Sequence, residues 1–588
     1  MSDFDTIIYN GYLVDGTGSP GHYADVGIRA GRVAEIGNLE GRSAQARLDA
    51  AGKIVAPGHV TSHAHYDVAL FWDPYCSNSG EHGVTTLVNA NCGFGIAPVR
   101  RADRERTMAM LETTEQIPVA EQRAVLPWSW ETFPEYLECV RALRKGVNVL
   151  SYLPINPLLV YVMGVEAAKT RRPTRTELAE LVRLIHEAMD AGAIGISMSV
   201  MGAEGNSHVD SDGSPMPTDS MDRDVMVELG RAVAARREGV IQLVSQIVSY
   251  GDRAITERMA EMARGSGARV VHNTFLTTDA TPELAAADLA WLDGLRQRGL
   301  DVTAASQLSR GWIEAGIHQL DVAAGQLPAV RRIIACKSPA EVLELISSAE
   351  LRRAFAAQYA EAGPTNGAAG MEGQTVIAVG DDPALAPLVG KTLGELARAS
   401  GRGVIDVLLD LGVRSGLALQ LKSPPINSTS PDHVARMLAQ PGVIAGGSDG
   451  GAHTKAFGMG HYATDLLVWV VRDERKVSLE EMHFQLSLKP ARSLGIADRG
   501  ALLPGFWADV LIYDLAELHV DTTRYEIVHD MPNGDWRRKA RAGGYDRVLV
   551  NGVITHERDR PTGAVPGQLV RTTRDLGGGG RARAADAS

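Results

Sequence analysis

The feature that most constrains the fold is an alternation of strand-like and helical segments along the middle of the chain. Short β-branched runs at 84–88, 240–244 and 269–272 are separated by segments with helical periodicity, such as 176–189. Strands that alternate with helices form parallel sheets, because each helix returns the chain to the starting edge. The pattern therefore predicts an α/β fold, most simply a (β/α)8 TIM-like barrel with insertions.

The two ends of the chain have a different pattern, with short strands joined by turns. Near the start, strand-like runs at 6–9 and 12–15 flank the hairpin signal Asn10-Gly11. Near the other end there are two more strand-like runs, at 508–513 and 547–554. Each set is short for a stable sheet, so we expect the two ends to share one small antiparallel β unit.

These patterns divide the chain into four predicted segments. Residues 1–57 and 501–560 form the two parts of this β unit, which the family resemblance described below makes a β-sandwich, and residues 58–500 form the barrel. Residues 561–588 contain four consecutive glycines and few apolar side chains, so we expect a flexible tail.

Composition excludes several classes of protein. The 588-residue chain has a net charge of -12, which argues against nucleic acid as a partner, since phosphates demand a basic face. Four cysteines are too few for a disulfide framework in a chain of this length. The N-terminus lacks signal-peptide features, and no stretch approaches the roughly 18 apolar residues of a membrane span. We therefore expect a cytoplasmic protein without a membrane anchor that acts on a small molecule.

A His-x-His motif gives the first indication of chemistry. His63 and His65 are two residues apart on a predicted strand, so both side chains point to the same face. The apolar run 53–58 precedes them, which places the pair near the C-terminal end of a buried strand. Two imidazoles on one face can hold one cation.

Three further residues follow strand-like runs of their own. Cys92, His272 and Asp449 fall at C-terminal strand ends, where barrel enzymes place their chemistry. Imidazole, thiolate and carboxylate together suit a zinc-like ion. Each also has a structural alternative: a buried thiol, a buried histidine with its hydrogen bonds satisfied, and a helix N-cap.

A set of short motifs spread over residues 1–560 resembles the amidohydrolase superfamily, in the branch of the N-acyl-D-amino-acid deacylases (D-aminoacylases). Singly none of them is specific, but their joint occurrence is. They are Pro57-Gly58 followed by His63-Ala64-His65-Tyr66-Asp67, then Phe71-Trp72-Asp73-Pro74, His82-Gly83-Val84-Thr85-Thr86, Asn91-Cys92-Gly93, Gly447-Ser448-Asp449-Gly450, and Arg499-Gly500 with Pro504-Gly505 and Ala508-Asp509.

The resemblance implies a metal-dependent barrel with an attached β-sandwich, frequently assembled as a homo-oligomer. It makes His63, His65, Cys92, His272 and Asp449 the metal-site residues, with one or two divalent ions, zinc being favoured. It also makes Asp449 the general base. A metal lowers the pKa of water to near neutral, and a carboxylate can pass the proton to a leaving nitrogen.

The chain departs from the deacylase pattern at several positions. Gln246 stands where the deacylases have the first of two later histidines, and Thr274 stands where a substrate-holding lysine is expected. No arginine follows the Gly-Ser-Asp-Gly motif closely, although His453 and Lys455 do. We assign Gln246, His453 and Lys455 to substrate binding, with simple solvation as the alternative for the last two.

Three functions are consistent with these residues. The leading hypothesis is a metal-dependent amidohydrolase that cleaves an amide or cyclic amide C–N bond, with Asp449 as general base. The departures at Gln246 and Thr274 motivate a second, a metal-dependent lyase, decarboxylase or C–C hydrolase acting on a substrate that is not an amino acid. The third is a non-catalytic binding protein.

Overall fold

The computed structural model describes residues 2–203, 209–247, 250–251, 253–276, 278–279, 282–320, 327–362 and 370–572. Within these ranges the protein is a mixed α/β structure.

The strands lie throughout the described chain. In order they are β1 Phe4–Tyr9, β2 Tyr12–Leu13, β3 His22–Tyr23, β4 Asp25–Arg29, β5 Arg32–Gly37, β6 Ala44–Asp49, β7 Ile54–Pro57, β8 His59–Thr61, β9 His63–Ala64, β10 Val84–Asn89, β11 Asn148–Ser151, β12 Leu153–Pro154, β13 Gly195–Ser199, β14 Val240–Val244, β15 Gln246–Ile247 and β16 Tyr250–Gly251. The later ones are β17 Arg269–Leu276, β18 Val302–Gln307, β19 Glu314–Ala315, β20 Thr375–Val379, β21 Leu419–Lys422, β22 Val443–Ile444, β23 Gly447–Gly450, β24 Val510–Tyr513, β25 His519–Val520, β26 Glu526–Val528, β27 Arg537–Lys539, β28 Ala542–Gly543, β29 Tyr545–Val550, β30 Val553–Glu557 and β31 Arg560–Pro561.

The α-helices are concentrated between β9 and β24. None of the helices in the described ranges has both the length and the apolar character that crossing a membrane requires. Their bounds are Ser77–Gly80, Arg104–Glu115, Val119–Val125, Phe133–Ala142, Ile155–Met163, Val165–Thr170, Arg175–Ala191, Pro217–Ser220, Arg223–Ala235, Ala254–Ala263, Pro282–Gln297, Pro328–Ile334, Pro339–Ser347, Ala349–Ala362, Leu393–Ser400, Val404–Arg414, Pro431–Leu438, Tyr462–Leu466, Leu479–His483 and Lys489–Ser493.

The helix Arg175–Ala191 shows how local sequence sets these elements. The Thr174 side chain accepts a hydrogen bond from the Glu177 backbone N–H, and the Glu177 carboxylate accepts one from the Thr174 N–H. Such a capping box satisfies two free N–H groups and is worth about 1 kcal/mol. Leu181 and Ile185 lie on the buried face. The helix ends at Ala191, and the next residue, Gly192, has a φ of 123°, which is accessible to glycine.

The central strands pair in parallel. One sheet has the order β11-β10-β8, a second has the order β12-β13-β14-β17-β18-β22, and β23 pairs with β9. Along the chain β9 directly follows β8, β12 follows β11, and β23 follows β22. The parallel pairings therefore connect eight successive strand positions and return to the first.

An apolar cluster is built by these strands. Its members are fully or almost fully buried, and burying a side chain of this kind contributes about 1.5–3 kcal/mol. They include Val60, Val88, Leu150, Val240, Val271, Ala305 and Ile444.

Two other sheets are formed by the ends of the chain. One has the order β5-β4-β1-β6, and the other, β3-β2-β7-β24-β29-β30-β31, joins strands from both ends through the antiparallel pair β7 and β24. A shared apolar cluster includes Ile8 and Val26 from the first sheet and Val55, Val510 and Leu549 from the second. Apolar side chains thus connect the two sheets.

A separate unit lies between β18 and β22. It contains the antiparallel sheet β19-β21-β20 and several helices. Its own apolar core includes Ile333, Ile346, Phe355, Leu408 and Leu421. This unit is an insertion in the alternating part of the chain.

The structured chain extends beyond the predicted tail boundary at residue 561. The Val149 N–H donates to the Gln568 carbonyl oxygen at 2.8 Å, and the Val570 N–H donates to the Val149 carbonyl oxygen at 2.8 Å. The segment therefore occupies free backbone groups of the edge strand β11, a pairing that composition does not reveal. Residues 573–588, the rest of the predicted tail, lie outside the described residues.

Buried histidines make the stability of the fold dependent on pH. His483 is completely buried, its Nε2 lies 2.7 Å from the Tyr513 hydroxyl, and burial lowers its pKa to about 3. The unfolded chain takes up this proton below a pKa of about 6.5, whereas the folded chain resists it. The contribution of neutral His483 to the stability of the fold is therefore complete above about pH 6.5 and is lost as the pH falls toward 3.

We predict that His483→Gln, which keeps a group able to bond Tyr513, makes unfolding less sensitive to acid. Between pH 6.5 and 4.5 the free energy of unfolding should change with pH less steeply than in the wild type, by about 1.4 kcal/mol per pH unit. Urea denaturation across this range measures it, with the exposed His529→Gln as control. Parallel pH profiles for the wild type and His483→Gln would contradict the assignment.

Candidate metal and active site

Two histidines and a cysteine converge at the ends of neighbouring strands. His63 lies in β9 and His65 directly after it, and their Nε2 atoms are 3.1 Å apart. The Cys92 Sγ lies 3.3 Å from His63 Nε2 and 3.8 Å from His65 Nε2. All three side chains are buried. Two nitrogens and a sulfur directed at one point fit a zinc-like ion.

The loop that carries Cys92 is held in a strained conformation. Ala90 and Cys92 have φ values of 60° and 59°, a region that costs most residues about 1–3 kcal/mol. Gln242 Oε1 accepts the Cys92 N–H at 2.9 Å, and Ser197 Oγ accepts the Gly93 N–H at 3.1 Å. The Ser197 hydroxyl also donates to the Ala90 carbonyl oxygen. Side chains from β13 and β14 thus fix the direction of the thiol.

Asp449 completes the group from β23, which pairs with β9. Its Oδ1 lies 3.1 Å from His63 Nε2 and 3.8 Å from His65 Nε2. The Gln307 side-chain amide donates to Oδ2 at 2.5 Å. Burial raises the pKa of Asp449, but the charge and hydrogen bond of His63 outweigh this and hold the pKa well below its usual range. The carboxylate is thus ionised and oriented by partners on both oxygens.

Glu115 is a site residue that sequence reasoning missed. It ends the helix Arg104–Glu115, is buried, and places Oε1 3.3 Å from His65 Nδ1. A carboxyl oxygen that accepts a hydrogen bond there favours the tautomer with a proton on Nδ1, which leaves Nε2 free to bind a cation. Burial, together with the charges of Asp449 and Asp67, raises the pKa of Glu115 well above its ordinary value. No sequence signal marks it, since a glutamate in a helix is normally exposed.

His272 lies outside the three-residue cluster. His63, His65 and Cys92 each place a potential metal-binding atom within 4.8 Å of the other two. His272 Nδ1 instead lies 3.1 Å from Thr256 Oγ1, and the ring packs edge-on against Trp291. His272 lies in a strand as predicted, but β17 continues to Leu276, so it is not at the strand end, and the structure does not bring it into this cluster.

The three predicted substrate-binding residues lie in different surroundings. His453 is close enough to Asp449 for its charge to lower the pKa of that carboxyl. The Lys455 ammonium donates hydrogen bonds to Asp535 Oδ2 at 2.7 Å and to the Trp536 carbonyl oxygen. These bonds compensate the burial of its charge. Gln246 lies in β15, and its side chain is outside the described part of the structure.

Comparisons with known proteins give a consistent result. A sequence profile of the amidohydrolase family matches residues 47–556. The chain is 26% identical over 581 residues to a D-aminoacylase of Alcaligenes xylosoxydans xylosoxydans, covering 97% of this chain and 98% of that one. It is 26% identical over 577 residues to an N-acyl-D-glutamate deacylase of the same organism, covering 98% of each.

A solved structure shares the fold. It is the N-acyl-D-glutamate deacylase of Bordetella bronchiseptica, complexed with zinc and a phosphonate inhibitor that mimics the tetrahedral intermediate. The TM-score is 0.63 at 24% identity, and the match covers 97% of this chain and 99% of that one.

The contact between Glu115 and His65 predicts a specific effect on metal affinity. Removing the carboxylate in Glu115→Ala should weaken binding of a divalent ion by roughly 10–100-fold, and Glu115→Gln should lose less because it keeps an acceptor. Competition with a chelator measures both values. Glu105→Gln, an exposed substitution on the same helix, is the control. Equal affinities in Glu115→Ala and the control would rule out this role.

Proposed function

The chain belongs to the amidohydrolase family, and from that premise we propose that His63, His65, Cys92 and Asp449 form its active site. The activity is metal-dependent hydrolysis of a carbon–nitrogen bond other than a peptide bond. The observation that carries the proposal is the convergence of two imidazole nitrogens, a thiol and an ionised carboxylate at neighbouring strand ends. The lyase and binding-protein alternatives are not favoured, since the related proteins named above are deacylases.

For the fold we propose a (β/α)8 barrel of residues 58–500 and a β-sandwich built from residues 1–57 and 501–560. The circuit of parallel pairings and the apolar cluster of the central strands support the barrel. The apolar cluster between the two terminal sheets supports the sandwich. In this arrangement the site residues lie at the C-terminal face, where barrel enzymes carry out their chemistry.

For the cofactor we propose one zinc ion held by His63, His65, Cys92 and Asp449. The donor set suits zinc, and the Bordetella bronchiseptica relative contains it. A single ion is proposed because His272 lies outside the cluster and glutamine stands at position 246. When bound, the ion supplies Lewis acidity, which makes water more acidic and a carbonyl carbon more electrophilic.

The residues of the chain provide the proton transfer. Asp449 takes a proton from the attacking water and delivers it to the leaving nitrogen as the C–N bond breaks. The water oxygen joins the carbonyl carbon, so the products are a carboxylic acid and an amine. Gln307 holds Oδ2 of Asp449, which leaves Oδ1 facing the histidines.

Of the predicted substrate contacts, we propose that His453 faces the substrate. It lies close to the Asp449 carboxylate, and its φ of 47° marks a strained position of the kind found at functional sites. Lys455 is better explained as a structural cation paired with Asp535.

The role of Asp449 is tested by Asp449→Asn. The amide preserves the shape of the side chain but cannot carry the proton, so kcat should fall by roughly 10²–10⁴-fold with metal content largely retained. Turnover of an N-acyl amide panel and elemental analysis measure the two quantities. The exposed Asp432→Asn serves as control. Undiminished turnover in Asp449→Asn would contradict the proposed role of Asp449 as general base.

The metal site is tested by the metal content of the purified protein. We expect about one zinc ion per chain in the wild type and a clear loss in Cys92→Ala, because the thiolate is a principal donor. Cys139→Ala, which removes a cysteine outside the cluster, should keep the ion. Two ions per chain would refute the single-ion proposal, and equal losses in both variants would refute the assignment of Cys92.

A further inference from the structure

A buried ion pair from distant parts of the chain holds the loop that follows Asp449. Residues 450–457 are called the active-site loop below. Resting on the proposed function, we infer that Arg538, with its partner Glu314, is a positioning residue for this loop and through it for His453, the side chain proposed to face the substrate. Arg538 acts on the backbone of the loop.

The active-site loop begins beside the strand ends that carry the metal-site residues. The His65 N–H donates to the Gly450 carbonyl oxygen at 2.8 Å. Asp449, just before the loop, and His453, within it, are partly exposed, whereas the other residues of the loop are buried. These two side chains therefore lie on the side of the loop that solvent and substrate can reach.

Three successive carbonyl groups of the loop accept hydrogen bonds from the two members of the ion pair. The Arg538 backbone N–H donates to the Thr454 carbonyl oxygen at 2.8 Å, and the Arg538 Nε–H donates to the Lys455 carbonyl oxygen at 2.9 Å. The Glu314 N–H donates to the Ala456 carbonyl oxygen at 2.9 Å. The ion pair thus fixes the backbone directly after the proposed substrate contact.

The ion pair is itself held in one orientation. The Arg538 and Glu314 side chains are only 1% and 0% exposed, and Nη1 donates to Oε2 at 2.6 Å. Arg538 Nη2 donates to Gln420 Oε1 at 2.6 Å. Glu314 Oε1 accepts the Trp312 indole N–H at 3.0 Å and the Tyr525 N–H at 2.8 Å. Charge-assisted bonds to several partners restrict the guanidinium to a single geometry.

The backbone of the loop needs this support at His453. Its φ of 47° is a left-handed conformation that favours glycine. The His453 carbonyl oxygen accepts the Ala456 and Phe457 N–H groups at 2.8 and 3.1 Å, and the Thr454 N–H donates to the Glu115 carbonyl oxygen at 3.1 Å. A strained residue persists where its surroundings over-determine it, and the ion pair supplies part of that constraint.

Hydrogen exchange of the active-site loop tests the inference without any need for turnover. In the full-length protein with zinc present, Arg538→Lys keeps a cation beside Glu314 but lacks the Nε–H that holds the Lys455 carbonyl group. Exchange of the amides of residues 453–457 should be faster by about tenfold, because a bond from a charged donor is lost. Arg541→Lys, at an exposed arginine of the same segment, should exchange like the wild type. Unchanged exchange in Arg538→Lys overturns the inference.

Kinetics test whether the loop acts through His453. Gln307 holds Asp449 separately, so Arg538→Lys should raise KM for an N-acyl amide by about fivefold and change kcat by less than about twofold. In a His453→Gln background, Arg538→Lys should add less than about twofold, because the contact that it positions is already lost. Full additivity of the two changes, or a fall in kcat alone, refutes this role. Absence of turnover in the wild type overturns the proposed function, and loop exchange then still decides the role of Arg538.

A neutral pair covers the case in which Arg538→Lys does not fold. Glu314→Gln combined with Arg538→Gln leaves no unpaired charge in the interior, which is less destabilising than the loss of one partner. The double variant also lacks the Nε donor, so faster exchange of the loop and a raised KM are expected again. Wild-type exchange and KM in this protein would refute the role of Arg538.

Discussion

The convergence of His63, His65 and Cys92 on one point is the constraint on which the rest of the site depends. Two imidazole nitrogens 3.1 Å apart and a nearby thiol are stable together only when the strands beneath them hold a fixed register. That register comes from parallel pairing of β8 with β10 and of β9 with β23. The positions of the donor atoms therefore depend on the pairing of the strands, since a shifted strand would separate them.

Around these donors, each group is held by a partner from a different part of the chain. Glu115 reaches His65 from a helix, Gln242 holds the Cys92 backbone from β14, and Gln307 holds Asp449 from β18. Buried polar groups need such partners, because unpaired ones cost folding energy. The surrounding residues consequently restrict the orientation of each functional atom before any substrate binds.

Sequence patterns were sufficient for the parts of this architecture that depend on local periodicity. The placement of His63 and His65 on one face follows from how strands present side chains. Asp449 is predicted directly after an apolar strand, and the structure places it inside the short strand β23. The supporting contacts do not follow, because they join residues far apart in sequence: 150 positions between Cys92 and Gln242, and 142 between Gln307 and Asp449. The same holds for Lys455, whose ion pair with Asp535 no local pattern indicates.

Strands from the first part of the chain pair with segments from its last part, and this affects folding during synthesis. The edge of β11 is covered by residues around Val570, and β7 pairs with β24, so strands made early wait for partners that are made much later. While the chain is still on the ribosome, these edges are open to other chains. Folding of both regions is therefore completed only once the residues around Val570 have been made.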